Sequence, residues 1–245
     1  MPVKPDKGME PIVMSQQQNI ERLFESLITG NRDWARRVVR DASAPECGAK
    51  ELLSELFWPT HELIEKLHRA DQIDQVAYHL STRLLRTLVD QTSAQLPAPT
   101  SKNRTIFAAC GPSQSEELGA QIAVDLLESA GFEVTFAGGG VPGDEILAQV
   151  QQRQPDYLLL FCSAPSDLPG IREIVDQINE IGACGDTKIV VGGGVFNRAE
   201  GLAEEMGIAM CVTSPMEAVE KLTGTATLKT KTANSGTTRR RRAVA

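Results

Sequence analysis

Histidine is nearly missing from this chain: 245 residues hold three, and none follows His79. The second half therefore lacks the side chain that most often serves as base or metal ligand near neutral pH. No nucleophile–base pair can be assembled there. Cysteine does not fill the gap. The five cysteines (Cys47, Cys110, Cys162, Cys184 and Cys211) form no C-x-x-C pair and are odd in number. Cys110, Cys162 and Cys211 lie in apolar runs, where a free thiol behaves as a small hydrophobe. Long hydrophobic runs are absent as well. No stretch of about 18 apolar residues occurs, so no membrane span is expected. The opening M-P-V-K-P-D-K-G-M-E-P has no apolar segment of the kind a secretory signal needs, and a cytoplasmic location is expected.

Nucleotide motifs are missing too. There is no G-x-x-x-x-G-K-[ST], and neither G-G-G-V-P (138–142) nor G-G-G-V-F-N (192–197) is a G-x-G-x-x-G after the first strand of a βαβ unit. A phospho-acceptor receiver would need an acidic cluster after the first strand and an Asp ending the third, where this chain has small polar residues. Charge narrows the partners further. The net charge is −7, but six positive charges (Lys229, Lys231 and Arg239 to Arg242) follow Thr223 with no acid among them, leaving −13 on the rest. An acidic body does not suit a broad nucleic-acid surface. Only the Arg239 to Arg242 run could make a short contact with a partner or nucleic acid, and such runs are usually solvated ends.

What is present falls into two patterns, and the length suits two compact units. Residues 1–17 are polar and Pro-rich, and are expected to be disordered. Residues 18–92 carry helical periodicity: Ile20, Leu23, Phe24 and Leu27 repeat before Gly30 ends the first helix. Asp33, Trp34 and Ala35 open a second, with Val38 and Val39 turned inward. A third spans Ala49 to about Arg69, with Pro59 expected to bend or split it, and a fourth spans Ile73 to Thr92. Four helices with short connections predict a bundle. Residues 93–104, with two prolines and no apolar pattern, predict a linker. From 105 to 222 strand and helix alternate. Strands are expected at Ile106–Cys110, Glu133–Phe136, Tyr157–Cys162, Lys188–Val191 and Ala209–Val212, with helices at Glu116–Ala130, Gly143–Gln152, Leu168–Ile181, Asn197–Glu205 and Pro215–Leu222. That alternation predicts an α/β fold, a five-stranded parallel, doubly wound (flavodoxin-like) sheet following the bundle. Residues 223–245 predict a basic disordered tail.

Ligand loops in such a sheet lie at the carboxyl ends of the strands. Here they are G-P-S-Q-S-E-E-L-G (111–119), A-G-G-G-V-P (137–142), S-A-P-S-D-L (163–168) and G-G-G-V-F-N (192–197). Glycine lets a ligand approach the backbone closely, so these loops suit a large, flat or extended ligand and offer no catalytic set. The segments G-F-E-V-T-F-A-G-G-G-V-P-G-D-E-I (131–146), Q-P-D-Y-L-L-L-F-C-S-A (154–164) and K-I-V-V-G-G-G-V-F (188–196) carry a family likeness. With the helical half and linker, they make residues 19–222 resemble the cobalamin-binding module of methionine synthase, corrinoid methyltransferase proteins and cobalamin-dependent light-sensing repressors.

The resemblance implies cobalamin as cofactor. It implies a cofactor-binding set of Ser113, Ser115, Glu116, Gly119, Gly139, Val141, Ser163, Ala164, Gly192 and Gly193, with Ser163 lining the pocket for the nucleotide tail. From the helical half it adds His68 and His79, the latter as upper metal ligand or cap over the corrin. The chain departs from the family at its signature D/E-x-H-x-x-G, whose histidine is the lower cobalt ligand. Aligned on Gly119, it has Gln114 for the acid and Glu116 for the histidine, and a carboxylate there is expected to cap the helix instead. Pro165 replaces the leucine of the S-x-L motif, Tyr78 stands before His79 where the repressors have glutamate, and His68 holds their tryptophan position. Trp34 and Trp58 are expected in the core. The missing histidine makes a cobalamin-binding sensor or regulatory protein the leading expectation, with the corrinoid keeping its own base on cobalt or being absent. Such a protein would act through a partner protein, with homo-oligomers admitted. The alternatives are a fold that has lost its cofactor, serving as an interaction or other-ligand module, and a corrinoid carrier for methyl transfer.

Overall fold

Helical periodicity in the first half is realised as helices packed on one another. Helix α1 (Gln16–Ile28) starts from a capping box in which Ser15 accepts from the Gln18 N–H and Gln18 reaches back to Ser15. It ends at Gly30, whose φ of 66° a side chain would resist. Helix α2 (Arg32–Ala42) is capped by Asn31. Then come α3 (Ala49–Glu51), a π-helical turn (Leu52–Phe57) and α4 (Trp58–Arg69) without interruption, and α5 (Gln75–Ser93) capped by Asp74. The expected break at Pro59 does not occur. The π turn widens the helix just before it, with the Trp58 N–H bonding to the Leu53 carbonyl, and that wider turn accommodates the proline ring within a continuous helix. Leu23, Leu27, Leu53, Phe57, Ile64 and Leu85 are buried where these helices meet.

The structure is a computed structural model describing residues 15–224, apart from 44–46, 98, 183 and 185. The expected disordered ends therefore lie mostly outside the described residues. Residues 16 and 17 are nonetheless helical, as are 223 and 224, because the Ser15 cap and the last apolar turn at Leu222 extend regular structure past the expected limits.

In the second half, strands β1 (Thr105–Cys110), β2 (Glu133–Gly139), β3 (Tyr157–Phe161), β4 (Lys188–Gly192) and β5 (Met210–Val212) form one parallel sheet in the order β2-β1-β3-β4-β5. Ile106 pairs with Val134 on one side and Tyr157 on the other. The order reverses at β1 and β3, which opens a crevice at their carboxyl ends. Helices α6 (Gln114–Ser129), α7 (Gly143–Arg153), α8 (Leu168–Ile181), α9 (Gly194–Arg198), α10 (Leu202–Glu205) and a last helix, α11 (215–224), cover both faces. Where one helix was expected over Asn197–Glu205 there are two short ones, separated at Gly201 with its φ of 81°.

Side chains alternate between two apolar clusters. Phe107, Leu158, Leu160 and Val191 pack under α7, α8, α9 and α10, whereas Ile106, Ala108, Tyr157, Leu159 and Val190 face α6 and α11. The second of these clusters runs on into the helical half through Leu85, Leu88 and Phe57, so one core spans both halves. Polar ties hold the seam: Arg86 pairs with Glu117 at 3.3 Å, and the Ser93 hydroxyl donates to Asp125. Among the described residues no helix is long and apolar enough to cross a membrane.

Candidate functional site

The carboxyl edge of the sheet holds two cavities back to back. The larger, of about 500 Å³, lies between α7 and α8 beneath the loops after β1, β2 and β3, with Ile146, Leu160 and Ile174 in its floor and Val141 at its lip. The smaller, of about 140 Å³, lies between α4 and α6 and reaches the turns after β3, β4 and β5. Glu116, Gly119, Ser163 and Gly193 line this second cleft. Of the sequence-derived candidates, Val141 lines the larger cavity and these four the smaller, whereas Ser113, Ser115, Gly139, Ala164, Gly192, His68 and His79 line neither.

Glu116 sits at the divide and is 8% exposed. Its carboxylate turns into the sheet edge instead of out toward a ligand. Oε1 accepts from the Ser163 N–H at 2.5 Å and the Ala164 N–H at 3.3 Å, while Oε2 accepts from the Ser113 hydroxyl at 2.8 Å. Ser113 in turn caps α6 by accepting from the Glu116 N–H at 3.1 Å. One carboxylate thereby ties the loop after β1 to the loop after β3. Ser115, next along, is buried and donates to Glu65 of α4, which also accepts from the Tyr78 hydroxyl at 2.9 Å and pairs with Arg69 at 3.5 Å.

Three glycines allow close approach. A Cβ on Gly139 would strike the Gly111 carbonyl oxygen, and one on Gly193, whose φ is 104°, would strike the Cys162 backbone. Gly192 ends β4 against Val212. Ser163 accepts from the Gly194 N–H through its hydroxyl at 3.3 Å and from Arg198 through its carbonyl at 2.7 Å. The Cys110 and Cys162 thiols are pushed up to about 12 by burial and by nearby carboxylates, which keeps them protonated and inert.

His68 and His79 stand away from both cavities. His68 stacks on Tyr78 at 3.7 Å between ring centroids, and His79 is exposed on α5. The Gln75 amide links them, its oxygen accepting from His68 Nε2 at 3.3 Å and its nitrogen donating to His79 Nε2 at 2.9 Å. Through Tyr78 and Glu65 this cluster connects to Ser115 at the start of α6. No group of three or more metal-ligating side chains occurs among the described residues.

Sequence reasoning passed over His61. It is 6% exposed, its Nδ1 has no hydrogen-bond partner among the described residues, and burial holds its imidazole below its ordinary value against the pull of Glu65. It lines the small cleft beside Trp58, the ring centroids 5.6 Å apart. Trp58, expected in the core, packs against it but also stands in this cleft. The i, i+3 spacing of Trp58 and His61 was visible; which helix face would meet the sheet was not.

The family profile described as "B12 binding domain" matches residues 104–222. The chain is 29% identical over 105 residues to dimethylamine corrinoid protein 1 of Methanosarcina acetivorans, a stretch covering 43% of this chain and 48% of that protein. It is equally identical over 105 residues to dimethylamine corrinoid protein 3 of Methanosarcina mazei, covering 62% of it. The matches thus span about half to two thirds of these relatives. In fold, the chain resembles the monomethylamine corrinoid protein of Methanosarcina barkeri, with a TM-score of 0.71 and 15% identity over 85% of this chain and 98% of that one. The helical half joined to a five-stranded parallel sheet is common to both, as the loop motifs implied.

A corrinoid is the cofactor class of the B12 binding domain, and the residues here fit it in part. Glycine-rich loops at the carboxyl edge suit a broad macrocycle. The loop after β1 carries no imidazole, and the carboxylate at position 116 is engaged by three donors of the protein itself.

Proposed function

We propose that this protein is a corrinoid carrier, receiving a methyl group from one partner and yielding it to another. The reading rests above all on the B12 binding domain over residues 104–222, whose curated relatives are named as corrinoid proteins for dimethylamine. It reverses the order expected from the missing histidine alone, which had favoured a sensor. A bound corrinoid supplies a cobalt centre able to accept and release a methyl group. The chain's own residues hold the macrocycle at the loops after β1 to β4, keep those loops rigid through Glu116, and bring the helical half over them through Tyr78, Glu65 and Ser115. Output then requires methyltransferase-type partners that reach the open edge. The sensor reading keeps one supporting observation, the inward-turned Glu116, since a carrier gains control over cobalt from a protein nitrogen ligand.

The test is to mix the full chain with hydroxocobalamin, separate it by gel filtration and record the visible spectrum. A coloured protein that takes up methyl from methyl iodide after reduction with titanium(III) citrate, and loses it to an added thiol, supports a carrier. A colourless protein refutes corrinoid binding. A coloured protein whose bound cobalt cannot be methylated refutes the carrier and leaves the sensor.

A further inference from the structure

The small cleft is lined by Ser163, the residue that the resemblance assigns to the pocket for a nucleotide tail, and Trp58 and His61 of α4 stand in it together with Phe161. The α6 wall is small (Gly119, Ala120 and Ala123), as is the turn after β4 (Gly193 and Gly194), while Phe161, Arg198 and Val212 close the rest. The near wall is α4, which lays Trp58 and His61 against Gly119. A Cβ on Gly119 would stand 3.0 Å from His61 Nε2 and 3.6 Å from Trp58 Cζ3. The space left, about 140 Å³, falls below the roughly 300–1,000 Å³ of ordinary ligand pockets. Nor is α4 free to lift, because Glu65, one turn on from His61, accepts from both Ser115 and Tyr78.

We propose that Trp58 and His61 determine corrinoid specificity by occupying the cleft that a nucleotide tail would enter, so that the site recognises the macrocycle and disregards the tail. The inference rests on the corrinoid reading above and adds to it. Cobalamin and its tail-less analogue cobinamide then bind alike, and bound cobalamin keeps its benzimidazole on cobalt, with no histidine at position 116 to displace it.

Aquocobinamide and hydroxocobalamin are titrated separately into the full chain, with visible spectra read for affinity and for the base-on or base-off state. The wild type is expected to bind the two within about threefold, with cobalamin base-on. Trp58→Ala combined with His61→Ala empties the cleft and is expected to raise cobalamin affinity over cobinamide by about tenfold or more. Ala123→Leu, which fills the cleft from the α6 side, checks the point without relying on the double variant, and should leave cobalamin affinity unchanged in protein that melts cooperatively. A wild type that prefers cobalamin more than about tenfold and holds it base-off, with the preference lost in Ala123→Leu, overturns the proposal. Equal binding by the wild type with no gain in the double variant overturns the role of Trp58 and His61. If neither corrinoid binds any variant, the corrinoid reading itself falls and takes this inference with it.

Discussion

Replacing Glu116 by alanine should destabilise the protein more than its position at the start of a helix suggests. The carboxylate is 8% exposed and serves the Ser163 and Ala164 N–H groups together with the Ser113 hydroxyl. An exposed acid in the first turn of a helix contributes only about 0.3–1 kcal/mol through the helix dipole. Here two backbone donors from another loop would lose their acceptor, and each such loss costs about 1–3 kcal/mol when the group stays out of water. Ser163 and Ala164 are half-buried and the second bond is long, so water recovers part of that. The net loss should be about 2–4 kcal/mol, which in a chain of this size lowers Tm by about 5–12 °C. Glu116→Gln keeps Oε1 as a neutral acceptor and should cost only about 1 kcal/mol. Differential scanning calorimetry of the three proteins at pH 7 gives the ranking. If the alanine variant melts within about 1 °C of wild type, the loop after β3 is not held by this carboxylate.

Gly193→Ala, forced into a φ of 104° against the Cys162 backbone, should lose about 2–4 kcal/mol in urea titration, from strain and overpacking together. Burial holds His61 below its ordinary value of 6.5, so the unfolded chain takes its proton first as pH falls. Stability should then decline below pH 6.5, and His61→Phe should remove that part of the slope in Tm against pH. Glu217 resists the upward push of burial because bonds from Lys221 and Thr213 draw its carboxyl down to about 2. Its stabilisation is complete above the unfolded value of 4.5 and fades as pH falls from 4.5 toward 2, a fade absent in Glu217→Gln.

Most of the fold could be read from residue patterns because its strands are buried on both faces and its helices on one. Y-L-L-L-F, bounded by turn residues, reads as a covered strand, and the apolar spacing in α1, α5 and α6 marks the helices. The exceptions have local causes. The π turn at Leu52–Phe57 is not a composition signal but a way of fitting Pro59 into an unbroken helix. The split after Arg198 depends on Gly201 taking a left-handed φ. The site was harder. Gly139, Gly193 and Ser163 follow from the ends of strands, which sequence locates. That Glu116 would bond across to Ser163, or that α4 would set Trp58 and His61 against Gly119, depends on how two halves pack, and no single segment encodes that. His79 illustrates the converse: its spacing from His68 suggested a lid, and the structure joins them through Gln75 on an outer helix face.

The apolar cluster that runs from Leu23 and Leu53 through Leu85 to Leu118, Tyr157 and Val190 constrains how the molecule can move. A hinge that swung the helices outward would bare that layer to water. Sliding of α4 and α5 along α6, with their side chains exchanging neighbours within the layer, would keep it dry. Relative motion of the two halves would thus be shear, with the Glu65–Ser115 and Arg86–Glu117 contacts breaking and re-forming along it. The same layer implies that residues 104–222 produced alone would carry an uncovered oily flank on α6, and would self-associate or melt early.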